Sequence, residues 1–282
     1  MKSKTSTQEA TISILHVQQA KLKARILFTS PLVMNRLPKK AREQLLMPPL
    51  TKNKAARQQT LKHDPPFEYR DSIYRCIDAS SPTLCHIPNG AFKKAIAQAA
   101  IDIPGSSKAQ IGRLVSLATP TVALYGVPYL YMSVVRQAGL NRTPDIRTRA
   151  IFPQAACEIE LRYIRQLIDE GDLIRLVAAA GIICGIGDGR TEKGTFDFGA
   201  FTVVESGTPE EKQWLDIVAN QGRRPQEAAL ATPVAYDADT EELLAYFETE
   251  MIKRTRSHDE AVPDVAEAAK KSRSKNGRQK EA

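Results

Sequence analysis

The stretch Gly181-Ile-Ile-Cys184-Gly185-Ile-Gly187-Asp188-Gly189-Arg190-Thr-Glu-Lys193-Gly194-Thr-Phe196-Asp-Phe198-Gly199 packs six glycines into nineteen residues and runs straight into Ala-Phe201-Thr-Val-Val204. Glycine frees the backbone for positive φ and lets a second backbone approach closely. A loop of this kind carrying Arg190 and Lys193 can turn N–H groups and positive charge toward a phosphate chain. Upstream, Asp169 to Ala180 reads as a helix with Leu173, Leu176, Val177 and Ala180 on one face and Gly181 as its C-cap. Before that helix, Ala156 to Tyr163 alternates as a strand, and Phe201 to Val204 is β-branched and aromatic. Strand, helix, glycine loop and strand make the second half of a ferredoxin-like split βαβ arrangement.

The first half is sought further upstream. Leu22, Ala24, Ile26 and Phe28 alternate with Lys21, Lys23 and Arg25, which predicts a half-buried strand with a basic outer face. Residues 87–100 predict a helix, with Asn89 as N-cap, an apolar stripe of Phe92, Ala95, Ile96 and Ala99, and Lys93 and Lys94 to one side. Between strand and helix lies an insertion of about residues 30–86. It opens with a short helix over Pro38 to Leu46, ended by Pro48-Pro49, and continues through a basic irregular segment with Lys52, Lys54 and Arg57. Phe67, Tyr69 and Tyr74 interleave there with Arg70 and Arg75; such aromatics either stack bases or pack internally. Residues 111–135 read as short strands, a hairpin among them, and Arg147 and Arg149 precede Ile151-Phe152. The resulting class is α+β: an RRM/ferredoxin-like core over 16–207 with long insertions and a helical C-terminal extension.

Past Gly207 the character turns acidic. Two helices are expected within 208–252, Thr208 to Ala219 and Thr240 to Ile252, the first with capping-box spacing from Thr208 to Glu211. Residues 1–15 and the charged, alanine-rich 253–282 read as disordered. The net charge of +8 hides an asymmetry: residues 1–150 hold 23 Lys and Arg against 8 Asp and Glu, and the remainder holds 17 against 24. A basic half favours an anionic partner over ordinary solvated charge, because its cations cluster beside loop-like proline and asparagine.

Several chemistries find no foothold. The four cysteines, Cys76, Cys85, Cys157 and Cys184, form no C-x-x-C pair, so free thiols in a reducing cytoplasm are expected. Met1 to Glu9 lacks an apolar h-region, which predicts no secretory signal, and no apolar run approaches a membrane span. The four histidines show no metal-ligand spacing, and no cofactor or metal is expected. Gly185-Ile-Gly187 continues with Arg190 where a dinucleotide loop needs its third glycine, and no Gly-Lys-Ser/Thr of a Walker loop occurs. Metal-independent RNA cleavage with His16 or His63 as general base stays open, as does a phage single-stranded nucleic-acid-binding role.

The order of motifs resembles the RAMP superfamily of CRISPR-associated proteins: a basic first strand, a long insertion, an alanine-rich helix after Ile87-Pro88, Arg147-x-Arg149-Ala-x-Phe152, then strand, helix and Gly185-Ile-Gly187-Asp188-x-Arg190…Gly194…Phe198-Gly199-x-Phe201. More narrowly it is similar to the backbone subunit that polymerises along CRISPR RNA, or to a stand-alone phage or mobile-element relative. The resemblance spans about residues 18–205. It implies sequence-independent grip on RNA phosphates, self-association into a filament and contact with other effector subunits, without enzymatic activity. It also implies that Lys21, Lys23, Arg25, Lys93 and Lys94 line the RNA path and that Gly185 to Gly199 contacts it. The further candidate RNA contacts are Lys52, Lys54, Arg57, Arg70, Arg147, Arg149, Gly187, Arg190, Lys193 and Gly194. Gly189 stands where an aromatic would be natural before Arg190, and the acidic C-terminal helices lie outside the family's pattern.

Overall fold

A computed structural model describes residues 16–47, 63–136, 143–193 and 196–261. Lys52, Lys54, Arg57 and Gly194, with the expected arm at 1–15 and the tail from 262, lie outside the described residues.

The core is a four-stranded antiparallel sheet in the order β10-β1-β9-β5, from β1 (Gln19–Phe28), β5 (Val115–Leu117), β9 (Ala156–Ile164) and β10 (Phe201–Val203). Two helices cross it: α3 (Asn89–Ala99) links β1 to β5, and α5 (Glu170–Ile183) links β9 to β10. Each βαβ unit therefore leaves one strand's width between its parallel strands, and the other unit fills that gap; this is the ferredoxin-like split arrangement. The alternation of β1 builds the core directly. Leu22, Ala24, Ile26 and Phe28 are buried with Phe92, Ala95, Ile96 and Ala99 of α3 and Leu173, Val177 and Ala180 of α5. Phe201 closes this layer, edge-on to Phe28 and Phe92.

Two insertions decorate the core. The first, between β1 and α3, carries β2 (Leu32–Val33), α1 (Lys39–Leu46), α2 (Pro65–Asp71), β3 (Tyr74–Arg75) and β4 (Cys85–Pro88). The second, between β5 and β9, carries β6 (Thr121–Ala123) and a long hairpin of β7 (Tyr129–Arg136) and β8 (Pro144–Phe152). The strands expected as one group over 111–135 divide among three sheets: β5 joins the core, β6 pairs with β4, and β7 pairs with β8. Residues 111–114 end a helix, α4 (Lys108–Leu114), capped by the Ser107 side chain on the Gln110 amide.

The C-terminal extension has three helices where two were expected: α6 (Pro209–Asn220), α7 (Arg223–Ala231) and α8 (Ala238–Ala261). α6 covers part of the sheet's outer face, where Trp214 and Ile217 pack on Leu27, Ala156 and Val204. Its capping box is displaced by one residue. The Thr208 side chain donates to the Glu205 carbonyl, and Glu211 accepts from the Gly207 amide at 2.7 Å. α7 docks through Gln226, which is fully buried. Its amide oxygen accepts from the Leu84 and Cys85 amides and its nitrogen donates to the Leu124 and Gly126 carbonyls, all within 3.0 Å. α8 remains helical past Lys253, where disorder was expected, to Ala261. Among the described residues no helix is long and apolar enough to cross a membrane.

Candidate nucleic-acid interface

The glycine loop has a buried stem and an exposed tip. Gly181 is not a C-cap: α5 runs on to Ile183, and Gly181 sits inside it, where a Cβ would lie 1.9 Å from the Phe201 carbonyl oxygen. The left-handed closing residue is Gly185, at φ 62°, whose amide donates back to Ala180. The two limbs then cross. A Cβ on Gly199 would lie 1.7 Å from the Ile186 oxygen, and the Ile186 amide donates to Gly199 at 2.9 Å. Asp188 donates to Val33 and Gly199 to Pro31, which ties the loop to β2 and the turn before it. The amides of Glu192 and Lys193 are likewise spent on Cys184 and Arg190. The expectation that the loop turns its N–H groups outward is thus corrected. Its glycines permit close backbone packing, and its amides are largely satisfied internally.

What the loop does offer is a wall. Gly185, Gly187 and Arg190 line one side of a groove of about 1060 Å³. Across from them α3 contributes Lys93 and Lys94, and α4 contributes Lys108. Residues nearly a hundred positions apart in sequence meet here because α3 and α5 lie side by side on the sheet and the loop extends from the end of α5. The floor is apolar, from Leu32, Ile87, Ala95 and Ile186. The N-terminal turn of α3, Gly90 and Ala91, also opens into the groove, and the positive end of its dipole adds to the cations. Lys93 and Lys94 are exposed and have no carboxylate partner among the described residues. Lys108 donates to Gln98 at 2.7 Å. Arg190 is tied to Glu192 at 2.8 Å and to the Gly187 carbonyl. Lys193 is exposed at the loop tip.

The other candidate cations are placed elsewhere. Lys21, Lys23 and Arg25 lie on the sheet's outer face, each against a carboxylate: Glu160 at 2.9 Å, Glu158 at 3.2 Å and Glu211 at 2.6 Å. Lys21 is seven residues back along β1 from Phe28, about 23 Å from the strand end that borders the loop. Arg25 also stacks over Trp214, 5.4 Å from the ring. The outer positions of β1 and β9 carry no aromatic side chain, so the RRM manner of stacking bases on the sheet has no platform there. Arg70 caps α7, donating to the Leu230 and Ala231 carbonyls, and Tyr69 is fully buried with its hydroxyl on Pro128. The interleaved aromatics and arginines of 67–75 therefore pack internally for the most part. Arg149 is half-buried against Asp188 at 3.1 Å, and desolvation lowers its pKa against that carboxylate's pull. Arg147 is exposed on the β7–β8 hairpin.

The sequence reading missed an aromatic row behind the glycine loop. Phe196 and Phe198 stack with ring centres 5.3 Å apart, Phe198 meets Tyr131 edge-on, and Tyr131 meets Tyr236 edge-on. Gly189 is small for this reason: a Cβ there would lie 3.0 Å from Phe198 and 3.2 Å from Phe196. The aromatics expected near that position thus come from later in the loop. The Phe-Asp-Phe spacing was the available signal, since alternate residues share a face in extended chain.

His63 holds both ring nitrogens against carboxylates, Nδ1 on Glu68 at 3.1 Å and Nε2 on Asp145 at 3.0 Å. Neither nitrogen is open toward a 2′-hydroxyl, and the two carboxylates lie on opposite edges of the ring, so they do not converge on an ion. No cluster among the described residues has the makings of a metal site. His86 is held between Ser81 and Thr121, and burial lowers its pKa.

No protein-family model matches the chain, and no curated protein matches it. Among solved structures, a chain of the type III-B Cmr-beta complex bound to cognate target RNA, determined by cryo-EM, aligns at 12% identity with a TM-score of 0.35. The alignment covers 66% of this chain and 59% of that one. The fold and the groove define an α+β protein on a ferredoxin-like core, with a cation-lined groove walled by α3, α4 and the glycine loop.

Proposed function

We propose that this chain is a non-enzymatic RNA-binding protein that holds a single strand by its phosphates in the groove between α3 and the glycine loop. The observation that supports this reading is the convergence of Lys93, Lys94 and Lys108 over an apolar floor. Lys93 and Lys94 project from a helix whose buried stripe fixes their direction, so two unpartnered ammonium groups are held at one rim. Phosphate recognition needs that and little more, and it carries no base sequence information. The outer-face cations of β1 play no part here, because carboxylates already neutralise them. The finer reading rests on the resemblance in motif order: the RNA is a CRISPR-type guide, and the chain is a repeating backbone subunit that self-associates along it beside other effector subunits.

The test is the salt dependence of binding to a single-stranded RNA by fluorescence anisotropy. Three phosphates neutralised by Lys93, Lys94 and Lys108 give a slope of log K against log salt near −2, at about 0.7 per phosphate. Lys93→Ala with Lys94→Ala removes two of them and brings the slope to roughly −0.7. Binding that ignores salt, or a double variant with the parent's slope, overturns the proposal. Equal competition by DNA of the same sequence would favour a single-stranded DNA role over RNA.

A further inference from the structure

Phe196 is a large apolar side chain left 45% exposed. The core does not need it: the hydrophobic layer closes on Phe28, Phe92 and Phe201, and Phe196 lies beyond the bridge between Arg190 and Phe198, at the loop tip. Its ring is nevertheless held in place. Phe198 lies nearly parallel beneath it, at 11° between planes, and the Gly189 backbone abuts its edge. Phe198 is braced in turn by Tyr131, and Tyr131 by Tyr236. Phe198 therefore packs against part of one face of Phe196, while nearly half of the side chain stays open to solvent. Two other aromatic side chains are exposed among the described residues, Phe67 and Tyr246. Phe67 neighbours Asp64, Glu68 and Asp71, and Tyr246 lies on the acidic helix α8. Of the three, Phe196 alone belongs to the loop that also walls the cationic groove.

The charges around the ring indicate which part of a nucleotide it meets. Arg149 is paired with Asp188, Arg190 with Glu192, and Asp197 adjoins the ring in sequence, with Lys193 three residues before it. This balance makes a poor second phosphate site, whereas a fixed, flat π-face beside a phosphate track suits a base. We infer that the outer face of Phe196 is a stacking platform for a nucleobase of the strand whose phosphates occupy the α3 groove. The inference rests on the proposed RNA-binding function and adds a contact to bases, indifferent to their identity because every base presents a π-face.

Phe196→Ala is compared with the parent and with Phe196→Trp on three probes: an RNA strand, the same strand with abasic positions, and a strand carrying 2-aminopurine. Loss of one aromatic stacking contact weakens binding on the order of ten-fold. Phe196→Ala should show that loss on the base-containing strand with the parent's salt slope retained, and Phe196→Trp should restore affinity. The abasic strand should bind the parent and Phe196→Ala alike, and 2-aminopurine fluorescence should be quenched by the parent and not by Phe196→Ala. Equal affinity of parent and Phe196→Ala for the base-containing strand overturns the platform while leaving the phosphate groove standing. A parent that binds no RNA removes both. A Phe196→Ala variant whose sedimentation shows altered self-association, with base-dependent binding intact, assigns the ring to a protein contact and overturns the inference. Circular dichroism of Phe196→Ala matching the parent guards the comparison, as expected for a half-exposed loop-tip residue.

Discussion

Gln226→Ala is the sharpest test of how this molecule holds together. The side chain makes four hydrogen bonds in a site without solvent access, joining α7 to the amides of residues 84 and 85 and to the carbonyls of residues 124 and 126. Truncation orphans at least the two amides. At about 1–3 kcal/mol for each buried unsatisfied group, the expected cost is ~4 kcal/mol, with a small cavity term beside it. Domains are stable by about 5–15 kcal/mol, so this is a large share of the whole. Gln226→Leu fills most of the same volume and isolates the polar part. Gln226→Glu keeps the two acceptor contacts but sets a carboxylate against two carbonyls. Burial raises such a group's pKa, so the variant's deficit should be largest above that raised value and shrink as pH falls and the acid regains a donor. Urea unfolding read by far-UV circular dichroism and by the chain's single tryptophan, Trp214, measures each. The two probes should coincide, because α6 and α7 are bonded into the core. A loss under about 1 kcal/mol for Gln226→Ala, or a Trp214 transition well before the core's, would refute the reasoning.

Other expectations follow from the same contacts. Gly199→Ala places a Cβ 1.7 Å from the Ile186 oxygen at a φ of 70°, so the loop must open; a stability loss of about 2 kcal/mol or more in urea and loss of RNA binding are expected. The Gly207 amide and Arg25 hold the Glu211 carboxyl below the usual carboxylate range. Its contribution is present above the unfolded pKa and lost as pH falls through the lower folded value, so the gap between parent and Glu211→Gln should close in acid, read by Trp214 fluorescence beneath Arg25. Burial pushes the Cys85 thiol up to about 12 and raises Cys157 and Cys184 as well. A thiol reagent should therefore titrate Cys76, half-exposed, in the native protein and all four cysteines after unfolding.

The elements legible in the chain were those whose signal is local. Alternation over 21–28 and 156–163 needs only neighbouring residues to declare a buried face, and β1 and β9 appeared as expected. The stripe on α3 did the same at helical period, although its N-cap is Pro88 rather than Asn89, whose side chain reaches the Thr119 carbonyl instead. α7 escaped notice because Arg223-Arg-Pro-Gln-Glu has no apolar period. Its anchor is one polar residue whose four partners lie about 100 to 142 positions away. The roles of Gly181 and Gly199 were hidden for a related reason: the backbones that crowd them arrive from Phe201 and Ile186, and only the folded loop brings them there.

Charge divides in the same way. By itself the chain determined a ferredoxin-like alternation of strands and helices, a basic first half and a glycine loop between its last helix and strand. Which cations remain available was decided by register, which no local pattern encodes. Pairing Lys21 with Arg162 and Lys23 with Glu160 across β1 and β9 sets carboxylates from residue 158 onward beside the basic stripe and neutralises it. The packing of α3 beside α5 leaves Lys93 and Lys94 facing the glycine loop, whose one acid in the groove, Glu192, is taken by Arg190. Electrostatic attraction falls with distance and is screened within about a nanometre, so neighbours in space, and not neighbours in sequence, determine which lysines are free to hold a phosphate.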